Sequence, residues 1–261
     1  MRGFTRTMPA LLLYAVLCAG CFVKEDRSDC PCRLLLDFSE NDVSVVDSAS
    51  VLALSGGNVV FSETVYADSF DKEYLALLPR EDMVLLTVLS CMDGFTEDMD
   101  AMIIPYGMDC PPVYMFADII DTDCEYVRKS VVLRKNFCRL KVHVENGDVF
   151  PFRLVVRGEV DGYMTDGKPS EGDFRCSASE IEDGVFTVVL PRQTDSSLEL
   201  DVDDGTDVLK TFALGEILAA SGYDWTAPDL PDVTLGIDYA RTALTVSVQG
   251  WDKVYTFDFV I

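Results

Sequence analysis

Strict alternation of apolar and polar side chains is the feature that most narrows the fold of this 261-residue chain. It runs through Arg33–Phe38, Cys138–Val144, Ala243–Val248 and Val254–Ile261. A period of two puts every second side chain on one face, which is the pattern of a half-buried β-strand. Turn-forming pairs of the Asp-Gly type stand between many such runs. The sequence therefore predicts an all-β protein whose short strands form sandwiches.

Length and turn signals together predict two domains. A β-sandwich of this kind takes about 100 residues. The sequence thus predicts an N-terminal β-sandwich over 33–135 and a C-terminal β-sandwich over 136–261, with no linker between them. Asp203-Asp204-Gly205-Thr206 predicts a hairpin and Asp161-Gly162 a turn. The apolar spacing in Phe212–Ala220 predicts one short helix.

The N-terminal segment has the order of a secretory signal. Two arginines precede a 13-residue apolar run that is too short to span a bilayer. The small residues Ala19 and Gly20 stand directly before Cys21. This arrangement predicts a lipoprotein signal peptide over 1–20, a lipid on the Cys21 thiol and a tether over 21–32. Ordinary signal cleavage and an uncleaved anchor remain open.

Charge and metal-ligand content exclude several functions. Asp and Glu number 45 against 21 Lys and Arg, so the formal net charge is −24. Such a chain repels phosphate backbones, and we expect no nucleic-acid partner. The single histidine, His143, excludes multi-histidine metal sites. Cys30 and Cys32 are too close to bridge each other comfortably, but each can reach another cysteine, and the pairing stays open.

The search for catalytic residues is largely negative. Alternation places His143 on the polar face of its strand, where a solvated role is expected. The acidic residues Asp201, Asp203, Asp204 and Asp207 do not keep the spacing of an EF-hand loop and are interpreted as solvated. Trp225 and Trp251 could form a sugar platform, but packing at strand ends is the commoner role for Trp. We expect no enzyme activity, no cofactor and no metal site.

Motifs at both ends of the chain carry a family resemblance. Near the N-terminus these are Cys21, the Glu25–Leu34 stretch EDRSDCPCRL and the Asp37-Phe38-Ser39 strand end. Near the C-terminus they are Leu214–Leu218, Gly222–Trp225, Leu230–Val233, Ile237–Ala240 and Gly250-Trp251. Together these segments resemble the fimbrillin-associated, Mfa-like anchor and minor-subunit lipoproteins of Gram-negative fimbriae.

The resemblance implies both a fold and a function. It implies two tandem transthyretin-like (Greek-key) β-sandwich domains behind a lipoprotein signal peptide. It also implies a surface-exposed outer-membrane lipoprotein that acts as an anchor or accessory subunit of a fimbrium (pilus), in assembly and cell adhesion. The partners would be other fimbrial subunits, held by strand exchange, and the membrane itself.

The C-terminal strand is the predicted subunit contact. Tyr255, Phe257, Phe259 and Ile261 share one apolar face at the very end of the chain. The strand could be donated to another subunit or kept in its own domain, and both readings stay open. The alternative function is a surface glycan- or ligand-binding β-sandwich lipoprotein.

Overall fold

The structure is a computed structural model that describes residues 30–81, 83–90, 100–145, 151–238, 243–250 and 254–258. The predicted signal peptide, Cys21, Trp251, Phe259 and Ile261 lie outside these residues. In the described part the regular secondary structure is almost all β-strand, as predicted, and the sheets pack as β-sandwiches. The described residues contain no helix that is both long and apolar enough to cross a membrane.

Strands follow one another closely along the chain. The first half contains β1 (Cys32–Asp37), β2 (Ser48–Ser55), β3 (Asn58–Tyr66), β4 (Tyr74–Leu78), β5 (Val84–Leu89), β6 (Ala101–Ile103), β7 (Tyr114–Ile120), β8 (Tyr126–Ser130) and β9 (Arg134–Lys135). A short 3-10 helix, Ala67–Ser69, stands between β3 and β4.

The second half contains β10 (Phe137–Glu145), β11 (Arg153–Met164), β12 (Pro169–Ser177), β13 (Ser179–Glu182), β14 (Val185–Pro191), β15 (Glu199–Asp203), β16 (Val208–Phe212), β17 (Val233–Asp238), β18 (Ala243–Val248) and β19 (Val254–Asp258). The helix α1 (Leu214–Ser221) lies between β16 and β17. It starts two residues later than predicted because Phe212 still pairs with Leu200 in the sheet.

The two halves repeat one strand order. A three-stranded sheet has the order β4-β1-β8, and the same relation recurs as β14-β10-β17. In both, the central strand is antiparallel to the first neighbour and parallel to the second. The facing sheets run β3-β2-β5-β7-β9 and β12-β11-β15-β16. The second half adds β13 at one edge of its larger sheet and the β18–β19 hairpin at the other.

Two apolar cores follow from this repeat. One fills the first half with side chains such as Leu34, Leu36 and Phe38 of the β1 segment. The larger one fills the second half and also takes in Leu52 and Leu89 from β2 and β5. Because β2 and β5 bury both faces, their sequences are mostly apolar and do not alternate between apolar and polar residues. Each fully buried Leu contributes about 1.5–3 kcal/mol.

The strand β6 joins the halves through a tight contact. It lies inside the range predicted for the N-terminal sandwich, yet it pairs with β11 of the second half. A Cβ at Gly162 would meet the Met102 carbonyl oxygen at 1.9 Å, so only glycine allows the strands to approach. The turn predicted at Asp161-Gly162 is therefore wrong, because this glycine lies within β11. The predicted division at 33–135 and 136–261, with transthyretin-like domains, stays a prediction.

Candidate functional site: the C-terminal sheet edge

The strand β19 forms one edge of a six-stranded sheet. The order of that sheet is β13-β14-β10-β17-β18-β19, and β19 is antiparallel to β18 with Tyr255 opposite Val246. Within the described ranges, no strand pairs with the other side of β19. Its outer backbone groups are thus placed to accept a further strand.

The side chains of β19 divide between the two faces. Tyr255 is half-buried and packs against the larger core, whereas Val254 is 66% exposed and Thr256 is exposed. Tyr255, the first residue of the apolar face predicted for this strand, therefore contacts the chain's own core. The side chain of Phe257, like Phe259 and Ile261, lies outside what the structure describes. Whether the strand is donated or kept is still a prediction, but 254–258 pair within their own sheet.

Charge distinguishes β19 from other edge strands. At the opposite edge of the same sheet, β13 carries Glu180 and Glu182, and all four of its residues are exposed. The edge strand β8 carries Arg128 and Lys129. Charged side chains on an edge oppose pairing with another chain. The first four residues of β19 are uncharged, which leaves this edge open to strand addition.

The uncharged edge strand β4 is different from β19. It lies beside β3, where the Tyr74 hydroxyl donates a hydrogen bond to Glu63. This contact between the two sheets of the first half partly covers the β4 edge. We therefore take β19 as the candidate contact edge.

A loop from the end of α1 to β17 holds the two halves together. Arg192 on the β14 side donates to the carbonyl oxygens of Trp225 and Ala227, the latter at 2.8 Å, and to Asn136 Oδ1 at 2.9 Å. Asn136 is the single residue between β9 and β10. Burial lowers the pKa of Arg192 below its usual value, but the surrounding carbonyl oxygens accept its hydrogen bonds.

Trp225 is part of this packed loop. Its ring contacts Tyr223 edge to face at 4.7 Å between centroids, and it packs against the larger core. The Tyr223 hydroxyl in turn donates to the Pro231 carbonyl at 2.9 Å. The packing of Trp225 agrees with the structural role preferred for it, whereas Trp251 lies outside the described residues.

The acidic residues of the β15–β16 region have internal partners. Asp203 receives a hydrogen bond from Arg153 at 2.7 Å, and Asp204 caps its turn by accepting from the Thr206 and Asp207 amides. Hydrogen bonds from Arg153 and from the Gly205 amide lower the pKa of Asp203. No group of three or more potential metal ligands occurs in the part of the chain that the structure describes.

His143 lies on β10 between Lys141 and Glu145, opposite Val185. It is half-buried, while Leu140 and Val142 of the same strand are fully buried. The alternation predicted for this strand is therefore present.

An open groove of about 700 Å³ lies at the junction of the halves. The ends of β2, β5 and β7 form one wall with Leu54, Leu85 and Ile119, and the β11–β12 turn forms the other with Met164 and Lys168. None of the described lining residues is aromatic. The groove thus offers apolar contact but no ring on which a sugar could stack.

Solved structures share this fold. The fimbrial anchor protein Mfa2 from Porphyromonas gingivalis superposes with a TM-score of 0.61 at 14% identity, over 85% of this chain and 98% of that one. A candidate polysaccharide-binding protein from Bacteroides thetaiotaomicron gives 0.65 at 12% identity, over 87% and 98%. A candidate adhesin from Bacteroides ovatus gives 0.57 at 12% identity, over 90% and 97%. No known sequence family matches the chain, and no curated protein is significantly similar to it in sequence.

The Arg192 contacts and the groove were not foreseen in the sequence. A single arginine after a strand carries no motif, and the groove is built from residues more than 100 positions apart. The Gly222–Trp225 and Leu230–Val233 segments did carry a signal through the family resemblance. Their place at the junction gives those segments a structural role.

Proposed function

We propose that this protein is an outer-membrane lipoprotein that serves as the anchor or an accessory subunit of a fimbrium, in its assembly and in adhesion. The observation that carries the proposal is the open edge of β19, uncharged over its first four residues, on a fold shared with a fimbrial anchor protein. The lipid would sit at Cys21, near one end of the chain, and the contact edge at the other. One protein would thereby link a membrane to a fibre.

Strand addition is the proposed mode of contact. A strand of the neighbouring subunit would pair with the outer edge of β19 through backbone hydrogen bonds, and its alternate side chains would supply specificity. The five residues of β19 give room for only a short ladder. Apolar contacts on either side of the ladder would add roughly 1.5–3 kcal/mol of binding free energy for each large side chain buried. The entropy lost when the strand becomes ordered would offset part of this gain.

A non-enzymatic role is part of the proposal. The titratable groups of the junction groove include Asp166 and Lys168, which form an ion pair with each other. Burial acts to raise the pKa of Asp166, but hydrogen bonds from Lys168 offset this and leave that pKa lowered. A general acid needs the opposite shift, towards neutral pH.

Lysines on β19 test the contact. We expect the double variant Val254→Lys and Thr256→Lys to release fibres into the medium, because both positions are exposed and added charge opposes strand pairing. The matched control is Ser179→Lys on β13, an exposed position at the other edge of the same sheet. The measurement is the amount of fibre that co-sediments with outer membranes.

The melting temperature of each purified variant completes the test. A folded double variant that still retains fibres at the wild-type level would contradict the proposed edge contact. Equal release by Ser179→Lys would show that any added charge on this sheet disturbs attachment, and would contradict it as well.

Glycan binding is the second candidate function. It is favoured by the shared fold with the candidate polysaccharide-binding protein from Bacteroides thetaiotaomicron. It is opposed by the packed Trp225 and by the groove lining without aromatic rings. Specific retention of the purified protein on a glycan array, together with unchanged fibre attachment in the β19 variants, would favour this second function.

A further inference from the structure

Two cysteines meet where β1 begins. The Sγ atoms of Cys32 and Cys124 lie 4.0 Å apart, although 92 positions separate them in the sequence. Cys32 is the first residue of β1, and Cys124 lies two residues before β8. Both sulfurs are in the thiol form in this structure.

The backbone around the pair is fixed by the sheet. β1 and β8 are parallel neighbours with Arg33 opposite Tyr126, and the Arg33 amide donates to the Glu125 carbonyl at 3.1 Å. On its other side Cys32 pairs with Leu78 of β4. Cys124 lies one residue away from the position level with Cys32, so strands about 4.8 Å apart with a rise of about 3.3 Å per residue put the two backbones about 6 Å apart, within the range that a disulfide spans. The thiols can thus bond by rotating their side chains.

Burial gives the two thiols different roles. Cys32 is fully buried, and that burial together with the neighbouring Cys124 thiol raises the pKa of Cys32 to about 11. Cys124 is half-exposed, so a dissolved disulfide reaches it first. Cys32 is then the nearest thiol to resolve the intermediate.

Two other cysteines have separate surroundings. Cys138 is enclosed beside Tyr223, and burial raises its pKa to about 12. Cys176 donates a hydrogen bond to Asp109 Oδ1 at 3.3 Å, and burial raises its pKa to about 12 as well. Within the described residues, neither lies in contact with a second sulfur.

We propose that Cys32 and Cys124 form a disulfide when the protein meets an oxidising thiol–disulfide couple. The Cys124 thiolate attacks a small-molecule disulfide RSSR, which forms Cys124–S–SR and releases one RS⁻. The Cys32 thiolate then attacks the Cys124 sulfur of this mixed disulfide and releases the second RS⁻. The two RS⁻ ions take up the two protons lost by the cysteines, so two cysteine thiols are oxidised and RSSR is reduced to two RSH.

The bridge would join the tether to the body of the protein. Residues 21–32 lead directly into β1, and a bond to Cys124 would attach this start to the connection between β7 and β8. Formation in cells rests on the export that the proposed function includes. Disulfide formation can be tested in the purified full chain. A negative result there would contradict the disulfide and leave the proposed fimbrial function untouched.

Peptide mapping tests the pairing. The purified full chain is oxidised with glutathione disulfide, blocked with a thiol reagent and cut both before Asp and after Lys or Arg. This yields the fragment 29–33, with Cys30 and Cys32, and the fragment 123–128, with Cys124 alone. We expect the two fragments to be cross-linked in the wild type and in Cys30→Ser, the matched control, and separate in Cys124→Ser.

A link that persists in the wild type but is lost in Cys30→Ser would overturn the proposal, since Cys30 would then be the partner. Free, labelled Cys32 and Cys124 after oxidation would overturn it too. Thermal melting of the wild type and of Cys124→Ser gives a second readout. Reduction should lower the melting temperature of the oxidised wild type by about 5–15 °C and leave Cys124→Ser unchanged.

Discussion

The Asp201 carboxylate is fully shielded from solvent, yet it has three hydrogen-bond donors. Arg157 donates through Nε at 2.6 Å and Nη2 at 3.2 Å, and Thr211 Oγ1 donates at 2.7 Å. Burial acts to raise the pKa of Asp201, but these hydrogen bonds more than offset it and the pKa is lowered. The interpretation of these acidic residues as solvated is therefore wrong for Asp201 and Asp203, which are buried and each paired with an arginine.

Replacing Arg157 should show how much this network contributes to the free energy of unfolding. We expect Arg157→Met to lower the free energy of unfolding by about 2–3 kcal/mol, because it leaves a buried carboxylate without its cation. The loss stays below that of a fully enclosed pair because the Arg157 side chain is 37% exposed. Arg128→Met is the control, since its pair with Glu73 is exposed on both sides and worth about 1 kcal/mol or less. Urea unfolding at pH 7 gives both values.

The same pair should add a pH dependence. The folded-state pKa of Asp201 is depressed, so its contribution is complete above the unfolded value of about 3.9 and is lost as pH falls through the folded value. The stability difference between wild type and Asp201→Asn should therefore shrink as urea unfolding is repeated from pH 7 down to pH 3. A difference that stays constant over this range would contradict the assignment.

At the scale of elements, the contact between β6 and β11 depends on one missing side chain. A methyl group at Gly162 would collide with a backbone carbonyl of β6, which cannot rotate away. We expect Gly162→Ala to destabilise the protein by about 1–3 kcal/mol, as overpacking does. It should also raise amide hydrogen exchange in Ala101–Ile103.

Gly236 on β17 is the control for this substitution. A Cβ there would meet the Thr245 hydroxyl, the end of a side chain that can turn aside. Gly236→Ala should therefore cost less than Gly162→Ala in the same unfolding experiment. An equal cost, without faster exchange in β6, would show that the close approach at Gly162 is not what holds β6.

The sequence predicts a secondary-structure element correctly when residues near it in the chain determine it. Cys138–Val144 and the Asp203–Thr206 hairpin are confirmed, because a half-buried strand and a Gly205 with φ of +100° each follow from nearby residues. Strand β12 was not predicted; Pro169 and Gly172 are unfavourable residues for a strand, and the long β11 supplies its pairing. Gly162 was misread because its constraint comes from a strand some 60 positions away. The open edge of β19 is likewise a property of sheet order, which alternation cannot show.

At the scale of the whole molecule, the two halves are joined by direct contacts. β9 ends the sheet of the first half and β10 begins the next, with only Asn136 between them. The Arg192 contacts fix this residue, and Thr87 in β5 donates to the Thr165 carbonyl of the second half at 2.6 Å. The two halves are therefore connected by one residue between their sheets and by hydrogen bonds across the junction.

Membrane attachment is the prediction at this scale. We expect Cys21→Ala to abolish labelling by a fatty-acid probe and to release the protein from the outer membrane, because the thiol is the predicted lipid acceptor. Cys30→Ser, which changes another cysteine that precedes β1, is the control. Labelling and membrane retention of Cys21→Ala at the wild-type level would rule out lipidation at this residue.

The middle position of β1 has a mechanical consequence. β1 lies between β4 and β8, and the tether enters at its Cys32 end. A pull along the strand from that end loads the hydrogen bonds to both neighbours side by side, since these bonds run across the strand direction. They must then rupture together, whereas an edge strand peeled sideways loses its bonds one at a time. The strand order therefore gives β1 a high resistance to tension applied along the chain at its Cys32 end.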